Sequence, residues 1–92
     1  MGRPRLRRRI NINPKVKYFK AQGIPMSSLE VINITKEELE ALRLKNVKNL
    51  DQKSAAKEMH TSAATFQRIL SSAYKKVSLA LSEGKAIRIL EE

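Results

Sequence analysis

Apolar positions along this chain change period at Thr35. Before it they alternate: Ile10-Asn11-Ile12-Asn13 and Lys15-Val16-Lys17-Tyr18 set apolar residues two apart, with Pro14 between them. Val31-Ile32-Asn33-Ile34 has similar β-branched content. Period two sends alternate side chains to one face of a strand, so residues 10–34 predict a two- or three-stranded element, with a turn at Gly23 and Pro25. After Thr35 the spacing becomes helical. Thr35-Lys36-Glu37-Glu38 fits a capping box, in which the threonine hydroxyl accepts from the third helical amide and Glu38 reaches back. Leu39, Ala41 and Leu42 form the apolar face of this first helix, with Glu37, Glu40 and Arg43 pointing elsewhere, and it is expected to run to about Asn46.

Two further helices follow. Asp51 is a good N-cap for a short one over Gln52 to Met59, whose apolar face is Ala55, Ala56 and Met59. His60 and Thr61 break it. Ser62 then caps a long helix that ends at Gly84, a residue without the Cβ that penalises positive φ. At about 1.5 Å per residue it spans roughly 30 Å. A short helix, a tight turn and a longer helix is the arrangement that presents a recognition helix to a DNA groove. The expected fold is therefore mainly α: a helix-turn-helix over residues 51–83, a small N-terminal β element and a flexible basic arm. The chain divides into an arm at 1–9, strands and turn at 10–34, the helical domain at 35–86 and a tail at 87–92.

Turning 100° per residue sorts the third helix. Phe66, Ile69, Leu70, Ala73 and Val77 share a core-facing sector, and Ala64, Arg68, Ser71 and Lys75 lie opposite, with Gln67 at the edge. Alanines 55 and 56 let the short helix approach closely, and Met59, Phe66 and Ile69 close the angle. On the outer stripe Arg68 is the best base reader, because its planar fork matches guanine O6 and N7. Gln67 suits adenine or a phosphate. Ser62, Thr65 and the helix N-terminus can hold a phosphate through hydroxyls and amides. Lys53, Lys57, Lys75 and Lys76 are phosphate candidates that read equally well as solvated lysines.

Charge strengthens this picture. The 92 residues carry 19 Lys and Arg against 9 Asp and Glu, a net charge of +10. Arg3, Arg5, Arg7, Arg8, Arg9, Lys15, Lys17 and Lys20 fall in the first twenty residues, which hold no acid. The rest of the chain is almost neutral. A concentrated positive arm favours a polyanion, since each neutralised phosphate releases condensed counterions. Gly2-Arg3-Pro4-Arg5 resembles the core of an AT-hook, whose arginines lie along a narrow A·T-rich minor groove. General phosphate contact and a purely solubilising tail are the competing readings of the arm.

Other chemistries find little here. There is no cysteine and one histidine, so neither a disulfide nor a zinc site is expected. No cofactor is implied. Serines without a matching base and a lone turn histidine do not make a catalytic arrangement, so no enzyme activity is expected. No apolar run approaches the roughly 20 residues that cross a bilayer, and the basic start has no apolar segment behind it, so a cytoplasmic location is expected.

The run from Asp51 to Leu81 resembles the region-four helix-turn-helix of sigma factors. Over nearly its full length the chain is similar to the domain of unknown function 134 family, described as predicted DNA-binding proteins. The resemblance is carried by Gly2-Arg3-Pro4-Arg5, Tyr18-Phe19-Lys20 and Gly23-Ile24-Pro25. It continues through Glu38-Leu39-Glu40-Ala41-Leu42-Arg43-Leu44, Thr65-Phe66-Gln67-Arg68-Ile69-Leu70 and Glu83-Gly84-Lys85-Ala86-Ile87-Arg88. It implies a DNA-binding helix-turn-helix without naming a target. Members usually have glycine where this chain has His60, which marks His60 as a strained turn residue. They also tend to be polar at the positions of Ala63 and Ala64. Alanines there reach at most a thymine methyl, which shifts base reading to Arg68, Gln67 and the arm.

The expected partner is double-stranded DNA, read as a transcriptional regulator. A homodimer is a reasonable addition, because one short recognition helix gains specificity from a second half-site. Two other classes compete. An arginine-rich arm also suits RNA, although the aromatics are only Tyr18, Phe19, Phe66 and Tyr74, with Phe66 assigned to the core. A module that binds the transcription machinery would use a face of Leu44, Val47 and Leu50, or the apolar residues Ile87, Ile89 and Leu90.

Overall fold

The computed structural model describes residues 9–10 and 17–90. The expected strands at 10–13 and 15–18 fall mostly outside them. Among the described residues, three strands, β1 (Tyr18–Phe19), β2 (Val31–Ile34) and β3 (Ala86–Ile89), accompany three helices, α1 (Lys36–Leu42), α2 (Gln52–Glu58) and α3 (Ala63–Glu83). The protein is mainly helical with a small sheet. No helix is long and apolar enough to cross a membrane.

All three caps form. Thr35 Oγ1 accepts the Glu38 N–H at 3.1 Å while Glu38 Oε1 accepts the Thr35 N–H at 2.9 Å. Asp51 Oδ1 accepts the Ser54 N–H at 2.7 Å, and Ser62 Oγ accepts the Thr65 N–H at 3.1 Å. Each satisfies a donor that the first helical turn leaves without an intrahelical partner. α1 continues into a π turn over Arg43–Val47, where the Lys48 N–H reaches the Arg43 carbonyl at 2.9 Å. This turn buries Leu44. Gly84 ends α3 at φ 68°, and His60 sits at φ 56° between α2 and α3. The left-handed conformation expected of His60 is thus present, in a residue whose Cβ disfavours it.

The core joins the three helices. Ala41, Leu44, Ala55, Ala56, Met59, Phe66 and Leu70 form one buried cluster, with Leu42, Leu50 and Ile69 packed against it. Phe66 and Met59 are fully enclosed, and Ala55 and Ala56 supply the small surface on which α2 meets α3. The sector assigned to the core of α3 holds: Phe66, Leu70 and Ala73 are buried, and Ile69 and Val77 half-buried.

Two expectations are corrected. Glu40 does not point to solvent; it is completely buried, and both its oxygens accept from Arg43, at 2.8 and 3.0 Å. A bidentate guanidinium–carboxylate pair is what makes such burial tolerable. The expected tail at 87–92 does not begin at 87, since Ile87 to Ile89 belong to β3, the central strand of the sheet, in the order β1-β3-β2. It pairs antiparallel with β1 and parallel with β2, in the register Val31↔Ala86 to Ile34↔Ile89. A parallel neighbour requires a crossover, and here α1, α2 and α3 supply it. The β element is therefore shared by both ends of the described chain rather than N-terminal alone.

Candidate nucleic-acid interface

α3 carries two different long faces. Toward α1, Glu38 is buried and accepts from Ser72 Oγ at 2.6 Å and Lys76 Nζ at 3.0 Å. Burial opposes ionisation of this carboxylate, but the bonds from Ser72, the Thr35 N–H and Lys76 together outweigh it and hold its pKa below the ordinary value. Lys76, a phosphate candidate in the sequence, is thereby a structural cation that fastens α1 to α3.

The opposite face is open. Ala63, Ala64, Gln67, Arg68, Ser71 and Lys75 are all exposed. From Met59 to Ser82 the chain contains Arg68, Lys75 and Lys76 and no acid. Arg68 and Lys75 make no hydrogen bond or ion pair with other described residues, and neither do Lys53 and Lys57 on the exposed side of α2. Gln67 is partly engaged, donating from Nε2 to Ser71 Oγ one turn on at 3.0 Å. Ser62 and Thr65 are occupied by the cap, and Ser62 Oγ also donates to Thr65 Oγ1 at 3.0 Å. The first turn of α3 has no acidic residue to compensate the helix dipole, so its positive end stays open to an outside anion.

Two contacts tie this surface together, and neither is legible in the sequence. Gln52 Nε2 donates to the Ala63 carbonyl at 3.2 Å, which holds the start of α2 beside the start of α3. The Arg9 N–H donates to the Met59 carbonyl at 3.1 Å, at the C-terminal end of α2. The root of the basic segment is thus fixed at the corner from which α3 departs. Arg3, Arg5, Arg7 and Arg8 lie outside the described residues. A polar residue at the first position of α2 was the sole hint of the Gln52 contact, and Arg9 gave none.

The apolar faces considered for a protein partner are mostly spent inside the domain. Leu44 and Ile89 are buried and Leu50, Ile87 and Leu90 half-buried; Val47 alone stands out, 74% exposed. Among the described residues, no group of three or more His, Asp or Glu side chains could hold a metal ion.

These features define a three-helix domain closed by a small mixed sheet, with a basic, acid-free stripe along its longest helix. The chain belongs to the family described as Protein of unknown function DUF134, whose model matches residues 1–91. It is 49% identical over 88 residues to a UPF0251 protein of Methanosarcina acetivorans, covering 96% of this chain and 79% of that one. To a UPF0251 protein of Dehalococcoides mccartyi it is 53% identical over 89 residues, covering 97% and 76%. A UPF0251 protein of Desulforudis audaxviator is 48% identical over 89 residues, covering 97% of this chain and 58% of the relative. The chain thus spans between 58% and 79% of the length of these relatives. No solved structure matches it significantly.

Proposed function

We propose that this protein is a duplex-DNA-binding transcriptional regulator in which α2, the His60 turn and α3 act as a helix-turn-helix of the sigma region-four kind. The observation that carries the reading is the outer stripe of α3: Gln67, Arg68, Ser71 and Lys75 exposed together, with both cations unpaired among the described residues. α3 enters the major groove, Arg68 reads a base edge, and Lys75 with Lys53 and Lys57 meets phosphates. Ala63 and Ala64 allow close approach without polar reading. The root of the arm at Met59 supports the same arrangement, because an arginine segment starting at the α2–α3 corner begins beside the strand that α3 would contact. Its arginines then lie on phosphates or in the adjacent minor groove. Binding as a homodimer on two half-sites supplies the specificity one short helix lacks.

Fluorescence anisotropy of duplex DNA over a salt series tests this, with the intact chain, a chain lacking residues 1–8, and Arg68→Ala. Binding is expected to weaken steeply with salt. Removal of the arm flattens the slope by about 0.9 for each phosphate no longer neutralised, and Arg68→Ala weakens preferred sequences more than random ones. Absence of duplex binding at low salt, or an Arg68→Ala variant indistinguishable from the parent, rejects the helix-turn-helix reading.

A further inference from the structure

The sheet has a solvent side that the helix-turn-helix does not use. Tyr18 on β1 is opposite Arg88 on β3, and Arg88 is opposite Asn33 on β2. Residues in direct register project to the same face, with Cβ atoms about 5 Å apart on neighbouring strands. An aromatic ring, a guanidinium and an amide therefore lie abreast across all three strands. Phe19 and Ile87, the next register pair, turn the other way, toward a hollow shared with Ala80 and Leu81 of α3.

The composition of this row is unusual for a sheet surface that only meets water. Tyr18 is 51% exposed on a strand of two residues, where burial gives no reason for an aromatic. Arg88 Nε donates to Asn33 Oδ1 at 2.9 Å, which fixes the plane of the guanidinium. None of the ion pairs among the described residues involves Arg88. The acids that precede β2 and β3, Glu30 and Glu83, are both held by Lys85 at the far end of the strands, at 2.7 and 3.2 Å. A shallow hollow of about 270 Å³ opens along Lys17, Tyr18, Arg88, Ile89 and Leu90. It combines an aromatic face, an oriented cation that no described carboxylate pairs with, and the half-buried Leu90.

We infer that this hollow is a second binding site, for a nucleobase carrying a phosphate. The base stacks on Tyr18 beside Leu90, and the Arg88 fork takes the phosphate, with Asn33 holding the fork in place. An unstacked base with its phosphate satisfies all three elements at once. A base paired within a duplex does not, since its faces are covered by its neighbours. The ligand is therefore a nucleotide, free or in an unpaired strand, and the site is separate from the stripe of α3.

Backbone amide shifts of the full chain, titrated with AMP, with a single-stranded pentamer of deoxyadenosine and with inorganic phosphate, test the assignment. AMP and the pentamer are expected to move the amides of Tyr18, Arg88, Ile89 and Leu90, and inorganic phosphate to do so far more weakly. Tyr18→Ser and Arg88→Gln each lower affinity about tenfold, whereas Tyr18→Phe keeps it, because the ring and not the hydroxyl is used. Retention by Tyr18→Phe and unchanged shifts in α2 distinguish impaired ligand binding from a disturbed sheet. A pentamer that binds at least tenfold tighter than AMP identifies an unpaired strand as the source, and equal affinity identifies a free nucleotide. Shifts confined to α3, indifference to both Tyr18→Ser and Arg88→Gln, or inorganic phosphate matching AMP would overturn the site. Duplex affinity of Arg88→Gln is expected within about twofold of the parent, so failure here and failure of the groove-reading model are separately visible; a parallel loss of duplex affinity would overturn the separation of the two sites.

Discussion

Lys75 and Lys76 are neighbours in the chain and opposites in the molecule. Lys76 turns toward α1 and closes a network with Glu38 and Ser72; Lys75, 100° further round, stands exposed on the outer stripe. The contrast extends to whole regions. Where α1 meets α3, charges are buried, paired and committed to holding helices together. On the outward side of α3 the same residue types are unpaired among the described residues and open to a partner. What separates the paired cation from the exposed one here is helical phase, since composition is shared by both faces.

The largest break in this contrast is expected at Glu40. Its removal in Glu40→Ala takes the bidentate partner from the half-buried Arg43 guanidinium and leaves it the weaker field of Glu58, at a cost of about 3 kcal/mol, read as a lower urea midpoint at unchanged slope. DNA affinity of the folded fraction should stay as it was. Glu38→Ala removes the second half of a capping box and two bonds to α3 together, for about 2 kcal/mol.

Glu38 also sets a pH dependence. Its folded pKa lies below the ordinary carboxylate value, so it binds fewer protons folded than unfolded. Its contribution is present above the ordinary value and is lost as pH falls through the folded one. Stability of the parent should therefore decline on acidification more steeply than that of Glu38→Gln, measured by urea unfolding at successive pH values.

A smaller effect of opposite sign belongs to His60. Glycine at φ 56° relieves the left-handed strain, so His60→Gly should stabilise by about 1 kcal/mol and raise Tm by roughly 4–8 °C. The finest comparison is the lysine pair. Lys76→Ala is expected to cost about 0.5 kcal/mol of stability and leave duplex affinity alone. Lys75→Ala should leave Tm alone and reduce the salt slope by about 0.9. A Lys75 variant that unfolds more easily but binds normally would erase the distinction between the two faces.

Much of this architecture is encoded locally. The caps at Thr35, Asp51 and Ser62, the stop at Gly84 and the turn at His60 depend on one to four consecutive residues, and all are found where the sequence put them. So is the division of α3 into core and solvent sectors, because a long helix fixes the phase of every side chain it carries. The exposed stripe of candidate residues was therefore legible before any fold was known. The strand β3 was not. Gly84 stands before it and Ile87 and Ile89 alternate about Arg88, but four residues are too few to mark a strand, and pairing with β1 and β2 on either side makes it one.

Local sequence dictates the three helices, their boundaries within a few residues and which face of α3 turns outward, since capping and periodicity act over distances of a few residues. It took the folded chain to bury Glu40, to spend Lys76 on Glu38, to brace the α2–α3 corner with Gln52 and Arg9, and to set Tyr18, Arg88 and Asn33 in one row. Most of these join residues far apart in the chain. Such contacts depend on how whole elements dock, and local propensity carries no information about the element on the other side.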